Sequence, residues 1–353
     1  MGTAAHRPGL VLLSPAAAAV ALALLFVSST LRLAVVVGAR VVQPYGGGGG
    51  PCALAVAPLG YPCEEHQDGM SWLLASPEES LPFILADRGF DLYWNWSWDD
   101  LVVNDLPAMV DFVNTQTGQK PHYVGHSMGT LVALAAFSEG RVVDQLKSAA
   151  LLTPVAYLAH ITTPIGILLA KAFVGEALSD LLGVAEFDPL APPVTNLVRA
   201  FCRRPGMNCY DLLGSITGKN YCLNSSAVDV FLKYEPQPTS TKTMVHFAQT
   251  VRDGVLTKYD YVLPERNIAS YGQAEPPVYQ MSGIPASFPL FLSYGGRDSL
   301  ADPADVRLLL QDLRGHDRDK LTVQYLDQFA HLDFIIGVCA KDYVYKDMIA
   351  FLN

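Results

Sequence analysis

The stretch PHYVGHSMGTLVALAAFSEG, residues 121–140, decides the fold of this chain. A short apolar run, His122–Val124, leads into GHSMG at residues 125–129, and an almost wholly apolar run, Thr130–Ser138, follows. The pattern predicts a strand, a sharp turn and a buried helix, the setting in which a serine is exposed as a nucleophile. An ordinary Gly-rich turn is the alternative, so residues elsewhere in the chain must decide the role of Ser127.

Length and composition indicate a packed protein. The chain has 353 residues, of which 50% are hydrophobic and 16% are charged, and this balance excludes a disordered chain. The formal net charge is −10, and no cluster of basic residues is present. Because binding to phosphates needs a basic face, nucleic acid is excluded as a partner. Nothing in the sequence indicates an obligate protein partner.

The N-terminal residues have the pattern of a targeting segment. Arg7 precedes an apolar run, Leu10–Leu31, and Val37-Gly38-Ala39 offers small residues for cleavage. The sequence therefore predicts a secretory signal peptide over residues 1–39. An uncleaved anchor is the alternative, because the run is just long enough to span a bilayer. Either reading places the protein in the secretory pathway, with extracellular space or the vacuole or lysosome as the destination.

Six cysteines follow the predicted cleavage point: Cys52, Cys63, Cys202, Cys209, Cys222 and Cys339. Their spacing fits no zinc site, and no metal is predicted. Cys202 and Cys209 flank a short Pro-Gly turn and are the disulfide candidates, although buried free thiols are the alternative for several of the six. Asn224 and Asn95 begin Asn-x-Ser sequences, so both are candidates for N-glycosylation.

Strands and helices alternate through the chain. Ser148–Val155, Pro289–Tyr294 and Leu321–Leu326 are short, continuous apolar runs, as expected of parallel strands covered on both faces. A helix over Pro303–Leu313, with Asp302 as its N-cap, separates the last two runs. The alternation predicts an α/β domain.

The predicted domains follow from an interruption of this series. Residues 159–287 are rich in Pro, Gly and short helical stretches and predict a cap or lid. Residues 52–158 form the first part of the predicted core, in which Asp99–Val113 has the spacing of an amphipathic helix. Residues 288–353 form its second part.

A nucleophilic serine needs a histidine as base and a carboxylate to orient that histidine. Asp298 follows a predicted strand within FLSYGGRDSLAD, and His331 follows the last predicted strand within QFAHLDF. Serine, acid and histidine thus come in the order of a hydrolase triad, each after a strand. Asp302 is the rival acid, but capping explains its position. The remaining histidine candidates fit less well: His126 in the turn, His160 and His246 in the predicted cap, and His316 in a charged turn.

An oxyanion also has to be stabilised. The backbone N–H of Met128, directly after Ser127, is the first predicted donor. A second donor usually comes from an earlier loop, often with a His-Gly pair, yet none of the eight histidines precedes a glycine. GYPCEEHQDGMSWLL, residues 60–74, passes from a Cys-Glu-Glu loop to a helix start with no strand between them.

Seven blocks of sequence resemble the acid lipases, the family of gastric and lysosomal acid lipases and plant triacylglycerol-lipase-like proteins. The resemblance extends from Leu59 to Asn353. The blocks are GYPCEEH, SLPFILADRGFD, WSWDDL, DLPAMVDFV, TGQKPHYVGHSMGT, PQPTSTKTMVHFAQ and FLSYGGRDSLAD.

The resemblance implies an α/β-hydrolase fold, a mainly parallel sheet flanked by helices with a helical cap domain. It places Ser127 as the nucleophile, Asp298 as the acid and His331 as the base. The implied reaction is two-step hydrolysis of esters of long-chain fatty acids, from acylglycerols or sterols, with no cofactor or metal. The implied substrate is a neutral lipid ester at a lipid interface, and the cap would hold an apolar tunnel for its acyl chain.

The chain departs from the family at two internal positions. Where the family has strands ending in a His-Gly-Leu loop, His66-Gln67 joins Asp68-Gly69 directly, so the first strands of the sheet are predicted to be truncated. A second loss follows Gly89-Phe90-Asp91, where the family has an Asn-x-Arg-Gly loop. An alternative function is therefore that of a splice or gene-model variant that only binds lipid or a partner. A thioesterase or acyltransferase on the same scaffold is a third reading.

Overall fold

The structure, a computed structural model, describes residues 34–37, 96–161, 163, 186–187, 209–234 and 239–353. The predicted signal peptide over residues 1–39 lies outside these ranges except for 34–37. Asn95 and Cys202 also lie outside them, and so do all of residues 38–95.

A five-stranded sheet forms the centre of the described chain, in the order β1-β2-β3-β6-β7. Strands β2, β3, β6 and β7 run parallel, and β1 pairs antiparallel with β2. The predicted mainly parallel sheet is therefore confirmed. Two very short strands, β4 and β5, form a separate antiparallel pair. The strands are β1 Ala34–Val37, β2 His122–His126, β3 Ser148–Leu152, β4 Glu186–Phe187, β5 Thr239–Ser240, β6 Leu290–Gly295 and β7 Leu321–Leu326.

Helices connect the parallel strands and follow them. The predicted helix Asp99–Val113 is confirmed and is longer, because α1 continues through a π-helical turn, Leu101–Asp105, into α2. The predicted N-cap Asp302 accepts a hydrogen bond from the Ala304 N–H at 2.7 Å at the start of α8. The described α-helices are α1 Trp98–Asp100, α2 Leu106–Thr117, α3 Met128–Ser138, α4 Cys209–Thr217, α5 Ser225–Tyr234, α6 Thr241–Asp253, α7 Pro264–Tyr271, α8 Pro303–Asp312, α9 Asp333–Ile336 and α10 Lys346–Leu352.

Apolar side chains cover both faces of the sheet around β3. Ala149 and Leu151 face a cluster that includes α3, whereas Ala150 and Leu152 face a second cluster with Phe334. This alternation follows from the two-residue period of a strand, which sends successive side chains to opposite faces. Helix α3 is buried from its first residue to Phe137, as its continuous apolar sequence predicts. The turn at residues 125–129, which we call the elbow, therefore leads directly into a helix that is buried in the core.

The prediction that β7 is buried on both faces is wrong. The sequence predicts that Leu321–Leu326 is covered on both faces, but Val323 is 42% exposed and Tyr325 is 50% exposed. Within the described chain β7 has only β6 as a neighbour, so it is an edge strand of the sheet. Thr322 and Gln324 interrupt the run, so its sequence lacks the continuous apolar character of a strand that is covered on both faces.

Strand β1 lies inside the segment predicted as a signal peptide. Val35 is the register partner of Val124, and Ala34 is that of Gly125, so β1 pairs along the strand that leads to Ser127. Cleavage after Ala39 would remove β1 and leave β2 at the edge of the described sheet. The signal peptide itself stays a prediction.

Several helices of the predicted cap, residues 159–287, are described. Helix α6 contacts the core at the start of α1, where the rings of His246 and Trp98 stack at 3.9 Å. The division into cap and core stays a prediction. Among the described helices, none combines the length and the apolar character that crossing a bilayer requires.

Asp99 is a partly buried carboxyl between α1 and the predicted cap. Its Oδ2 accepts a hydrogen bond from the Tyr259 N–H at 2.7 Å, and its Oδ1 accepts one from the Tyr279 hydroxyl at 2.9 Å. Burial raises the pKa of Asp99 to about 7, and these hydrogen bonds and the charge of Lys258 oppose the rise only in part. The folded protein therefore favours the neutral form of Asp99.

We expect Asp99 to make the protein more stable in acid. A carboxyl whose pKa is raised on folding stabilises the fold fully below its unfolded pKa, and this contribution disappears as pH rises to the folded pKa. Between about pH 4 and pH 7, Asp99 should therefore cost on the order of 2–4 kcal/mol of unfolding free energy. Urea unfolding of the wild type and of Asp99→Asn at several pH values measures this loss of unfolding free energy.

Asp99→Asn isolates the effect of the charge, because asparagine has nearly the shape of the neutral carboxyl. Its oxygen can accept from Tyr259, and its amide can donate to the Tyr279 hydroxyl. Asp99→Asn should flatten the fall in stability between pH 4 and pH 7, whereas the exposed Asp144→Asn should leave it unchanged. Equal pH slopes in Asp99→Asn and the wild type would contradict the prediction.

Candidate active site

The elbow holds Ser127 in a strained backbone conformation between β2 and α3. Its φ is 54° and its ψ is −119°, a region that residues with a Cβ rarely adopt and that costs about 1–3 kcal/mol. Hydrogen bonds maintain it, because the Ser127 N–H donates to the Leu152 carbonyl at 3.2 Å. The Thr130 N–H and hydroxyl both donate to the Ser127 carbonyl, at 2.9 and 2.5 Å. The surrounding structure therefore enforces the turn.

Glycine at position 125 is required by close packing within the elbow. A Cβ on Gly125 would lie 2.8 Å from the Tyr123 ring and 3.1 Å from the backbone of Gly129. The Tyr123 hydroxyl donates to the Gly129 carbonyl at 2.7 Å, which holds the ring at the start of α3. Gly125 thus allows strand and helix to approach each other.

The structure brings the three predicted triad residues together. His331 Nε2 lies 2.8 Å from the Ser127 hydroxyl oxygen. On the other side of the ring, Nδ1 lies 2.9 Å from Asp298 Oδ2 and 3.1 Å from Oδ1. All three side chains are buried. Residues that are separated by 33 and 204 positions in the chain therefore form one continuous line of hydrogen bonds.

The carboxylate fixes the tautomer of His331. An ionised carboxylate only accepts hydrogen bonds, so Nδ1 carries the proton and Nε2 is free to accept the Ser127 hydroxyl. Asp298 is held in turn, since its Oδ1 accepts from the N–H groups of Leu300 and Ala301 at 2.9 and 2.8 Å. This is the arrangement that can remove a proton from Ser127.

Other histidines have structural partners. His126 Nε2 donates to the His331 carbonyl at 2.9 Å, and burial, together with the nearby His331, lowers the pKa of His126 to about 3. His160 pairs with Asp305 at 2.7 Å. His246 donates to the Thr257 carbonyl, and His316 donates to the Phe288 carbonyl. Within the described residues, none of these hydrogen bonds reaches Ser127, in line with their lower suitability in the sequence.

Met128 is the predicted oxyanion donor and is the first residue of α3. Its N–H points out of the helix start, where the first N–H groups have no partner within a helix. Across the described backbone, no carbonyl accepts a hydrogen bond from it. The segment in which the sequence lacks the His-Gly loop lies outside the described residues. Likewise, the described residues contain no group of three His, Cys, Asp or Glu side chains that could hold a metal ion.

The disulfide in the described chain joins Cys222 and Cys339, whose Cα atoms lie 5.9 Å apart although 117 positions separate them. The predicted pair of Cys202 and Cys209 stays a prediction, because Cys202 lies outside the described residues. Closing a loop of about 100 residues stabilises a fold by about 4–5 kcal/mol in the chain-entropy model. No local pattern favours this pair, since six cysteines allow many pairings.

Sequence reasoning also missed Thr130 and Asp333. Thr130 accepts from the Val155 N–H at 2.8 Å while it donates to Ser127, so it joins the elbow to the segment after β3. Asp333 accepts three backbone hydrogen bonds close to His331. An acidic residue between apolar neighbours, two positions after the predicted base, was the available signal for Asp333, whereas Thr130 had none.

Comparison with known proteins finds relatives that are named triacylglycerol lipases. The chain is 46% identical to triacylglycerol lipase 2 of Arabidopsis thaliana, with 86% of this chain and 88% of that protein covered. It is 33% identical to human gastric triacylglycerol lipase, with 80% of this chain and 76% of that protein covered. Among solved structures, a carboxyl esterase from Bacillus coagulans matches with a TM-score of 0.46 and 15% identity over 76% of each chain. No family model matches the sequence.

The alignment with the Arabidopsis protein contains gaps. The alignment extends over 368 positions, more than the 353 residues of this chain, so that relative has residues with no counterpart here. The high identity and coverage on both sides show the relationship despite these gaps. The chain belongs to the acid lipase family, that of the gastric and plant triacylglycerol lipases, with an α/β-hydrolase fold.

Proposed function

We propose that the chain hydrolyses carboxylic esters of long-chain fatty acids, with triacylglycerols or sterol esters as substrates in lipid catabolism. Ser127 is the nucleophile, His331 the base and Asp298 the acid. The hydrogen-bond line from Ser127 through His331 to Asp298 carries the proposal. Its relatives named triacylglycerol lipases support the substrate class.

The geometry accounts for both steps of the reaction. His331 Nε2 takes the hydroxyl proton while the Ser127 oxygen attacks the ester carbonyl carbon, and Asp298 stabilises the imidazolium that forms. The tetrahedral intermediate collapses, the ester C–O bond breaks, and His331 returns the proton to the leaving alcohol. Water then gives a proton to His331 and attacks the acyl-enzyme. The second tetrahedral intermediate that forms then collapses: the bond to the Ser127 oxygen breaks, the fatty acid leaves, and His331 returns the proton to Ser127.

The Met128 N–H is the proposed donor to the oxyanion. It lies at the N-terminus of α3, where the helix dipole also favours negative charge. The strain at Ser127 supports this placement, because the turn brings the nucleophilic oxygen and the free N–H to the same helix end. The proposal needs no metal ion and no cofactor.

Localisation in the secretory pathway, at the cell exterior or in the vacuole or lysosome, is part of the proposal. The Cys222–Cys339 disulfide supports it, since disulfides persist in oxidising compartments. Asn224, a glycosylation candidate, is exposed, and its Oδ1 accepts from the Ala227 N–H at 2.7 Å at the start of α5. A glycan on Nδ2 would leave this hydrogen bond at the N-terminus of α5 in place. The cap over residues 159–287 is the proposed site of the acyl tunnel.

Titration of released fatty acid tests the proposal. Purified protein is expected to hydrolyse long-chain triacylglycerol or cholesteryl ester emulsions and a soluble short-chain chromogenic ester. The lipid-binding alternative is the less favoured, because the triad side chains are assembled. A folded, monodisperse protein that releases no acid from any of these esters would overturn the proposed function. Transfer of the acyl group to an alcohol faster than to water would indicate an acyltransferase.

A further inference from the structure

Asp333 is a buried carboxylate that the proposed mechanism does not use. It begins α9 two residues after His331 and has no exposed surface. Its Oδ2 accepts from the N–H groups of Ala330 and Tyr221, both at 2.8 Å, and its Oδ1 accepts from the Cys222 N–H at 2.9 Å. Burial of a charge is costly unless hydrogen bonds compensate for it. Three backbone donors from two distant parts of the chain provide that compensation here.

The two parts are the loop that carries His331 and a segment that precedes α5. We name Thr217–Cys222 the clamp segment. It bonds to three consecutive residues of the loop: the His331 N–H donates to the Thr217 carbonyl at 3.1 Å, the Leu332 N–H donates to Asn220 Oδ1 at 3.2 Å, and Asp333 accepts from Tyr221 and Cys222.

The clamp segment is itself held in place. Its last residue forms the disulfide with Cys339, and the Cys222 carbonyl accepts from the Val338 N–H at 3.0 Å. At its other end Gly218 has a φ of 92°, and a Cβ there would overlap the carbonyl of Arg297, next to Asp298. The segment is thus joined covalently to the chain just after α9 and packs closely against the loop that carries Asp298.

Position is what His331 requires. Its ring must lie within hydrogen-bond distance of Ser127 on one side and of Asp298 on the other, and a shift of about 1 Å can cost a reaction about a hundredfold in rate. Outside the clamp segment, His126 also donates to the His331 carbonyl. Both the N–H and the carbonyl of His331 are therefore hydrogen-bonded. Asp333 joins the flanking loop to the clamp segment through bonds to a charged acceptor, which are the stronger kind.

We propose that Asp333 is a positioning residue for His331, which it holds in register with Ser127 by bonding the loop to the clamp segment. The proposal rests on the proposed function. Asp333→Asn keeps the shape of the side chain but turns one acceptor oxygen into an NH₂ group, which faces a backbone N–H in either orientation. At least one of the three hydrogen bonds is lost.

The test uses a fluorophosphonate, which labels an activated serine without any lipid substrate. Rates of labelling at Ser127 are measured from pH 5 to pH 9 in the full-length wild type and in Asp333→Asn, with kcat and KM for a soluble ester. We expect Asp333→Asn to lower kcat and the labelling rate about tenfold to a hundredfold, with KM little changed. The apparent pKa of the labelling profile should also shift, because His331 no longer keeps its distance to Asp298.

Asp305→Asn is the matched control. Asp305 is also buried and also accepts a backbone N–H, that of His160 at 3.0 Å, but it lies on α8 away from the clamp segment. It should lower thermal stability without changing the labelling rate or its pH profile. A purely structural role of Asp333 predicts the same behaviour for both variants.

The outcomes separate the two proposals. A wild type that is not labelled would overturn the proposed function, whereas labelling of Asp333→Asn with the rate and pH profile of the wild type would overturn the positioning role alone. If Asp333→Asn does not fold, Asn220→Ala decides. This variant removes only the bond to Leu332 and the contacts of Asn220 within the clamp segment. It should slow labelling about threefold to tenfold, and an unchanged rate would overturn the proposal.

Discussion

Ser127→Ala is expected to lower kcat for ester hydrolysis by at least about 10⁴-fold. The variant removes the hydroxyl oxygen that lies 2.8 Å from His331 Nε2. Alanine keeps the Cβ, so the strain at a φ of 54° does not change. The backbone bonds to Leu152 and Thr130 also remain. Stability should therefore stay within about 1 kcal/mol of the wild type, and initial rates with a chromogenic ester measure the loss.

Ser138→Ala is the control for this variant. Ser138 is the last residue of α3, and its hydroxyl donates to the Ala135 carbonyl, at the end of the helix opposite Ser127. Its kcat should equal that of the wild type. Activity in Ser127→Ala within tenfold of the wild type would contradict the assignment of the nucleophile. Equal inactivity of wild type and variant, with retained binding to lipid vesicles, would instead favour the lipid-binding alternative.

Local sequence was sufficient for the elbow and for the strands that precede Asp298 and His331. Gly125 and the apolar run of α3 predict the turn, because both act within a few residues of Ser127. The strands before Asp298 and His331 were predicted from short apolar runs, and the structure brings both residues to Ser127. Elements of this kind are set by propensity and periodicity, which a single sequence contains.

Contacts between distant segments could not be predicted in this way. Asp333 bonds to residues more than 100 positions earlier in the chain, and no periodicity marks the clamp segment. The same holds for Cys222 and Cys339, since the short spacing of Cys202 and Cys209 suggested a different pair. The exposure of β7 depends on its place at the edge of the sheet, which is a property of the strand order. Such features are fixed only when the chain has folded.

The N-terminal run shows a different limit. Ala34–Val37 is apolar and rich in valine, a composition that is typical both of a leader segment and of a strand. The sequence predicts the first, and the structure pairs the residues with β2. Both descriptions use the same property, the apolar character of valine.

Asp298→Asn should lower kcat about 10³- to 10⁴-fold, because it would hold His331 in the wrong tautomer. Asp298 Oδ1 accepts from the Leu300 and Ala301 N–H groups, so the carbonyl oxygen of asparagine should take that position. Its NH₂ group then replaces Oδ2, 2.9 Å from His331 Nδ1. Nδ1 must accept that hydrogen bond, and the proton moves to Nε2, which can no longer accept the proton of Ser127. Initial rates measured as a function of pH test this prediction.

Asp302→Asn is the matched control, since Asp302 is the rival acid in the same loop. It caps α8 by accepting from the Ala304 N–H, and asparagine caps helices as well as aspartate does. This variant should keep the kcat and the stability of the wild type. A loss of activity in Asp302→Asn as large as that in Asp298→Asn would mean that the charge of the loop matters and not the tautomer of His331. Asp298→Asn reverses the direction of the hydrogen bond to His331 and leaves the position of His331 nearly intact. Retention of activity by this variant would therefore transfer the role of the acid to another residue.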